Sequence, residues 1–230
     1  MRIRSIHLLQ VLNLKEVIKG VQFNNIIMKK ICALILCVFL ATLVSSAQNA
    51  VEARKVLDKT ASVIGRKGGA CADFKITSKK YGNTSGSIAI KGNKFHASTP
   101  QAIVWFDGKT QWTYLKSTDE VNITNPKEES LAAMNPYLFI NMYKSGFDLG
   151  MKSLGAYYQM HLVAQNKKRN IQEMYINVNK KTYVPSQVKM RQGTTWTTIN
   201  ITNFKGKDQN NKVFVFSDRD FPQAEIIDLR

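Results

Sequence analysis

From Ala70 onward the chain is a succession of short extended runs broken by Gly, Asn and Lys, and this pattern constrains the fold more than any other feature. Segments at 74–79, 85–91, 94–98, 102–106, 110–115 and 120–124 are enriched in Ile, Val, Thr, Trp and Tyr, residues that suit a pleated, half-buried surface. Further runs follow at 157–164, 171–177, 184–190, 196–204 and 213–216. Asp107-Gly108 between two runs is a tight-hairpin signal. Alternation is clear in Trp112/Tyr114, Val121/Ile123 and Ile88/Ile90. Charged turns at 165–170 and 179–181 separate the later segments. The spacing predicts one antiparallel sheet, curled or closed.

Two helical stretches accompany it. Residues 49–65 place Ala50, Ala53, Leu57, Ala61 and Ile64 on one stripe, with Glu52, Arg54, Lys55, Asp58 and Lys59 between them. Gly65 and Gly68-Gly69 end that helix. Residues 128–144 carry Leu131, Met134, Leu138 and Met142 on one side, with Tyr137, Phe139, Ile140 and Tyr143 over much of the rest. Pro136 is expected to split this stretch, and a segment apolar on most sides is buried or caps something apolar.

The N-terminal region reads as a targeting segment. Met28-Lys29-Lys30 precedes an apolar run from Ile31 to Val44, then Ser45-Ser46-Ala47-Gln48, which is the pattern of a signal peptide cut after Ala47. A spanning helix needs about 20 apolar residues, so the run is short for an anchor. The expected organisation is an over-translated extension at 1–27, a signal peptide at 28–47, and a single domain at 48–230. Cys32 and Cys37 fall inside the signal and lack the preceding small residues of a lipidation site. Cys71 alone remains after processing, which precludes an intramolecular disulfide and suits a buried thiol.

Charge narrows the partners. Removing residues 1–47 takes away six basic residues and one acid and brings the net charge from +17 to +12. For an exported protein this favours contact with anionic membrane surfaces over nucleic acid. Lys and Arg are scattered, with the densest group, Lys167-Lys168-Arg169, in a turn, and no basic-aromatic surface pattern accompanies them.

No catalytic constellation emerges. His96 and His161 stand apart from Cys or acidic clusters, and metal, phosphate-loop and nucleophile-elbow motifs are missing. Ser186 and Lys189 have S-x-x-K spacing, but on a strand they point to opposite faces. Asp107, Asp119 and Glu120 sit at turns. No cofactor or metal is expected. Surplus apolar material is what distinguishes the chain: Trp105, Trp112 and Trp196, together with Met134, Met142, Met160 and Met174 within apolar segments. Met suits irregular cavities as well as ordinary cores.

The run Ser85-Gly86-Ser87-Ile88-Ala89-Ile90-Lys91, followed by Val104-Trp105-Phe106-Asp107-Gly108-Lys109-Thr110-Gln111-Trp112-Thr113-Tyr114, resembles the outer-membrane lipoprotein carrier (LolA-like) family. Val121-Asn122-Ile123, Asn135-Pro136, the signal peptide and the terminal strands agree with that pattern. The resemblance implies an α+β fold, mainly β: an unclosed antiparallel half-barrel with a helical lid over an apolar cavity. It implies a monomeric periplasmic carrier that is not an enzyme. Such a carrier takes acylated lipoproteins from an inner-membrane ABC exporter to an outer-membrane acceptor, with transient membrane contact. Trp105, Trp112, Tyr114, Leu138, Phe139, Met142 and Met174 are the expected acyl-chain lining. Phe95, with Lys91 and Lys94, matches the exporter-docking region. The family's Arg after this strand is replaced, since Gly92-Asn93 follow Lys91. Two alternatives accompany this reading: a lipid-binding envelope sensor on the same fold, and an acyl-ester hydrolase using a dispersed site that includes Ser186 or His161.

Overall fold

The computed structural model describes residues 30, 48–79, 82–126 and 142–230. The chain divides into two compact units, Met1–Gln48 and Asn49–Arg230, and the sheet belongs to the second. The expected extension and signal peptide lie outside the described residues, Lys30 apart. So does most of the second helical stretch, with Leu138 and Phe139. Its last residues, Tyr143 and Lys144, form a turn rather than helix.

Helix α1 (residues 48–64) closely matches its expected span. Twelve strands follow among the described residues: β1 (Ala70–Ser78), β2 (Gly82–Lys91), β3 (Lys94–Ser98), β4 (Ala102–Phe106), β5 (Gln111–Leu115) and β6 (Glu120–Thr124), then β7 (Phe147–Leu154), β8 (Tyr157–Ala164), β9 (Glu173–Asn179), β10 (Pro185–Gln192), β11 (Thr195–Gly206) and β12 (Glu225–Asp228). They form one sheet running β12-β6-β5-β4-β3-β2-β1-β11-β10-β9-β8-β7. Every pairing is antiparallel except β12 on β6. The ends do not pair with each other, so the sheet is an open half-barrel rather than a closed one.

Three local departures from the expected elements have identifiable causes. Strand β7 carries Asp148, Gly150 and Lys152, residues depleted in strands, and it forms through pairing with β8. Residues 211–214 form a 3-10 turn instead of part of a strand, because the Asn210 side chain accepts the Lys212 N–H, which favours a turn over a ladder. Strand β12 is only four residues long and pairs parallel to β6.

The Asp107-Gly108 hairpin forms as expected. The Asp107 carboxylate accepts the Lys109 and Thr110 N–H groups, each at 2.8 Å, and Gly108 takes a φ of +105° that side chains disfavour. Gly86 is required for a different reason. A Cβ there would stand 2.0 Å from the Ser98 carbonyl oxygen and 3.0 Å from the Phe74 ring, so its absence lets Phe74 lie across β2.

The main core joins α1 to one face of the sheet, here called the inner face. Ala53, Val56, Leu57 and Ile64 of α1 pack with Phe74, Ile88, Ile90, Phe95, Phe106, Met160, Leu162, Met174, Ile176, Val188 and Ile199. Cross-strand register explains the continuity: Leu162 faces Met174, which faces Met190, and one step along Met160, Ile176, Val188, Ile199 and Ile76 form a row. Burying each large aliphatic side chain contributes about 1.5–3 kcal/mol, so α1 is held mainly by its apolar stripe.

Candidate functional site

The inner face is apolar from β7 through β11, β1 and β2 to β4, and it changes character at β5 and β6. There the same face presents Gln111, Thr113, Asn122 and Thr124, as the pairings Phe106 to Gln111 and Gln111 to Thr124 require. The outer face does the reverse. It carries Trp105, Trp112, Tyr114, Val121 and Ile123 on β4 to β6, and polar residues on β8 to β11. Strand β4 is the crossing point, with Trp105 buried on one side and Phe106 on the other.

The outer apolar patch is covered by the C-terminal segment. Trp105 meets Phe216 and Phe221 edge-on, each with ring centroids 5.5 Å apart. Tyr114 meets Phe221 at 4.5 Å, and its hydroxyl donates to Asp119. These aromatic contacts stabilise beyond simple burial. His96 lies against Trp105, and its burial holds the imidazole below its ordinary pKa.

Against the inner face lies an apolar pocket of about 40 Å³ between the end of α1 and strands β1, β2, β10 and β11. Ile64, Phe74, Ile88, Ile90, Pro185, Val188, Ile201 and Phe204 line it. In this conformation it admits a water-sized guest. Phe204 reaches it through an irregularity in β11: Cys71 pairs with Lys205 but Asp73 with Thr202, so one residue is extra. Asn203 takes a φ of +53° at that point and donates its side-chain amide to Asp73 at 2.7 Å. The extra residue turns Phe204 onto the inner face, where it packs against the core.

Helix α1 is tied down by polar contacts at its rim. The Tyr143 hydroxyl donates to Asp58, and burial together with this bond keeps the phenol protonated far above its ordinary range. On the other flank Lys59 donates to the Tyr183 hydroxyl at 3.3 Å and lies 4.8 Å over its ring. At its start, the Asn49 side chain accepts the Met151 N–H and donates to the Met151 carbonyl, satisfying part of the free edge of β7.

The expected site residues therefore separate. Met174 is fully buried on the inner face and Met142 packs partly buried against the same core. Trp105, Trp112 and Tyr114 share one face, but it is the outer one. Phe95 is fully buried, 5.5 Å from Phe106, and offers no surface ring. Lys91 donates to the Gln209 carbonyl at 2.8 Å, while Lys94 is half-buried beside the Gly92-Asn93 turn. Cys71 is free and half-buried rather than fully buried.

Sequence reading missed an outer-face cluster. His161, isolated in sequence, lies 2.9 Å from Glu173, which also accepts from Tyr175 and Arg191. The hydrogen bond to His161, with Tyr175 and Arg191, holds the Glu173 carboxyl below its usual range. The His161 ring stacks on Tyr175 at 4.4 Å. Only the β8–β9 register brings His161 and Glu173 together, and no periodicity signals it. Ser186 donates to the Asn177 carbonyl on β9 and lies apart from this cluster. Among the described residues, no group of three or more His, Cys, Asp or Glu could hold a metal ion.

The described residues form an open, mainly antiparallel sheet that packs its apolar inner face against helix α1, an open half-barrel class of fold. The family model described as outer membrane lipoprotein carrier protein LolA matches residues 43–194, and the chain belongs to that family. An uncharacterised conserved protein from Thermus thermophilus shares the fold: TM-score 0.53, 12% identity, 77% of this chain and 99% of that one covered. A LolA superfamily protein from Nitrosomonas europaea is similar at 10% identity, TM-score 0.41, covering 71% and 97% of the two chains. A lipoprotein-sorting protein domain from Vibrio parahaemolyticus, described as putative, is similar at 10% identity and TM-score 0.41, covering 75% and 97%. No curated protein matches the sequence.

Proposed function

We propose that this protein binds the acyl chains of lipoproteins against the inner face of its sheet and ferries them through the periplasm from the inner to the outer membrane. The observation that carries the proposal is the apolar pocket under α1, in a chain whose family is that of lipoprotein carriers. Roughly 15 methylenes at about 0.8 kcal/mol each make an acyl chain cost about 12 kcal/mol to leave in water. The inner face offsets that cost if α1 shifts outward, since the pocket is far smaller than such a chain. Met142 and Met174 are proposed lining residues, and Met side chains adapt to irregular guests. The Asp58–Tyr143 and Lys59–Tyr183 contacts give α1 a closure that can open and re-form. No covalent step is needed. The signal-peptide pattern at 28–47 supports export.

A second reading is a lipid-binding envelope sensor on the same fold. It is favoured by Gly92, whose φ of +60° strains any side chain at the position where the family resemblance expects an Arg, and by the engagement of Lys91 with Gln209. The test is to express the protein in a periplasm with a triacylated lipoprotein and record a native mass spectrum. A one-to-one complex that an unacylated cargo fails to form supports the carrier. An empty protein, or one holding phospholipid alone, supports the sensor.

A further inference from the structure

Gln111 is 5% exposed, and its Oε1 is the one buried side-chain nitrogen or oxygen without a hydrogen-bond partner among the described residues. Its Nε2 donates to Thr113 Oγ1 at 3.1 Å. Exchanging the amide's O and N does not cure the defect, because Thr113 could then donate to the oxygen while the NH2 took the unpartnered place. A buried polar group left unpaired costs stability and calls for a partner.

Its position points to what that partner is. Gln111 lies on the inner face in a cross-strand row with Ile90, Phe95 and Phe106. Three strand spacings, about 14 Å, separate Ile90 at the apolar pocket from Gln111. Along that row the buried side chains pass from purely apolar to polar, in the order an acylated molecule follows from chain to linkage. Resting on the acyl-carrier reading, we infer that Gln111 is a polar anchor for an acyl-amide linkage. Its free carbonyl accepts the linkage N–H while the acyl chain lies on the apolar rows.

The test compares two probes of equal shape, N-methylpalmitamide and methyl palmitate, which differ by N–H against O. Affinities are measured by titration calorimetry on the full chain. The wild type is expected to prefer the amide about tenfold. Gln111→Met removes the acceptor and is expected to abolish that preference, with an unchanged or raised Tm. Gln111→Glu keeps an acceptor and is expected to retain the preference at pH 8, which secures the comparison if the Met variant folds poorly. Equal amide and ester affinity in the wild type, or an amide preference that survives Gln111→Met, overturns the anchor while leaving the carrier reading intact. Failure of both probes to bind the wild type overturns the carrier reading and the anchor with it.

Discussion

Trp105 and Phe106 are neighbours in strand β4, yet each closes a different core. Phe106 belongs to the inner-face core with Phe95, while Trp105 packs on the opposite face with Phe216 and Phe221. Truncating either ring is expected to cost about 3–5 kcal/mol, but with different consequences. Trp105→Ala is expected to expose residues 210–230 to hydrogen exchange while leaving lipid binding in place. Phe106→Ala is expected to weaken lipid binding. Exchange mass spectrometry of both variants, paired with a lipid titration, checks the division.

The pairing of Asn203 with Asp73 fixes the extra residue that turns Phe204 inward. Asn tolerates the left-handed conformation and Val does not. Asn203→Val is therefore expected to destabilise the fold by about 1–3 kcal/mol and to weaken acyl-chain binding. Asn203→Gly keeps the backbone available, and is expected to lose about 1 kcal/mol with the hydrogen bond. Urea unfolding of the two variants gives the order.

His96 gives a pH dependence of defined sign. Burial lowers its pKa in the folded state from the ordinary 6.5, so the unfolded chain binds more protons as the pH falls below that value. Its contribution is complete above about pH 6.5 and is lost progressively as pH falls toward the lowered folded pKa. The Tm of His96→Phe, which preserves an aromatic neighbour for Trp105, is expected to decline less than that of wild type between pH 7 and pH 5. Parallel Tm–pH curves would remove His96 as the source.

Tyr143 and Asp58 join the turn at 143–144 to α1 through a charge-assisted hydrogen bond. Tyr143→Phe keeps the ring and removes the bond, for an expected loss of about 1.5 kcal/mol. If α1 shifts to admit an acyl chain, the same change is expected to accelerate lipid exchange several-fold. Stopped-flow release of a fluorescent fatty acid measures that rate.

Much of the fold was legible in local pattern, and the failures have physical causes. Strands β3, β4, β6 and β8 match their expected spans: β-branched or aromatic residues mark β4, β6 and β8, and β3 lies between the Gly92-Asn93 turn and Thr99-Pro100. Strand β7 was hidden by its Asp, Gly and Lys, and residues 213–216 misled because their apolar character serves burial of Phe214 in a 3-10 turn. Parity put Trp112 and Tyr114 on one face, but could not tell which face. The cover over that face comes from Phe216 and Phe221, about a hundred residues later. The unpaired Gln111 oxygen and the His161–Glu173 contact depend on packing and register respectively, neither of which a one-dimensional pattern contains.

The central claim is that the inner face holds the acyl chain, and photo-crosslinking tests it most directly. A lipopeptide carrying a diazirine near the end of its acyl chain, irradiated in complex with the protein, marks whatever the chain touches. The account predicts adducts on Met174, Val188 and Phe204. Adducts confined to Trp105, Trp112, Tyr114 or Phe221 would contradict it.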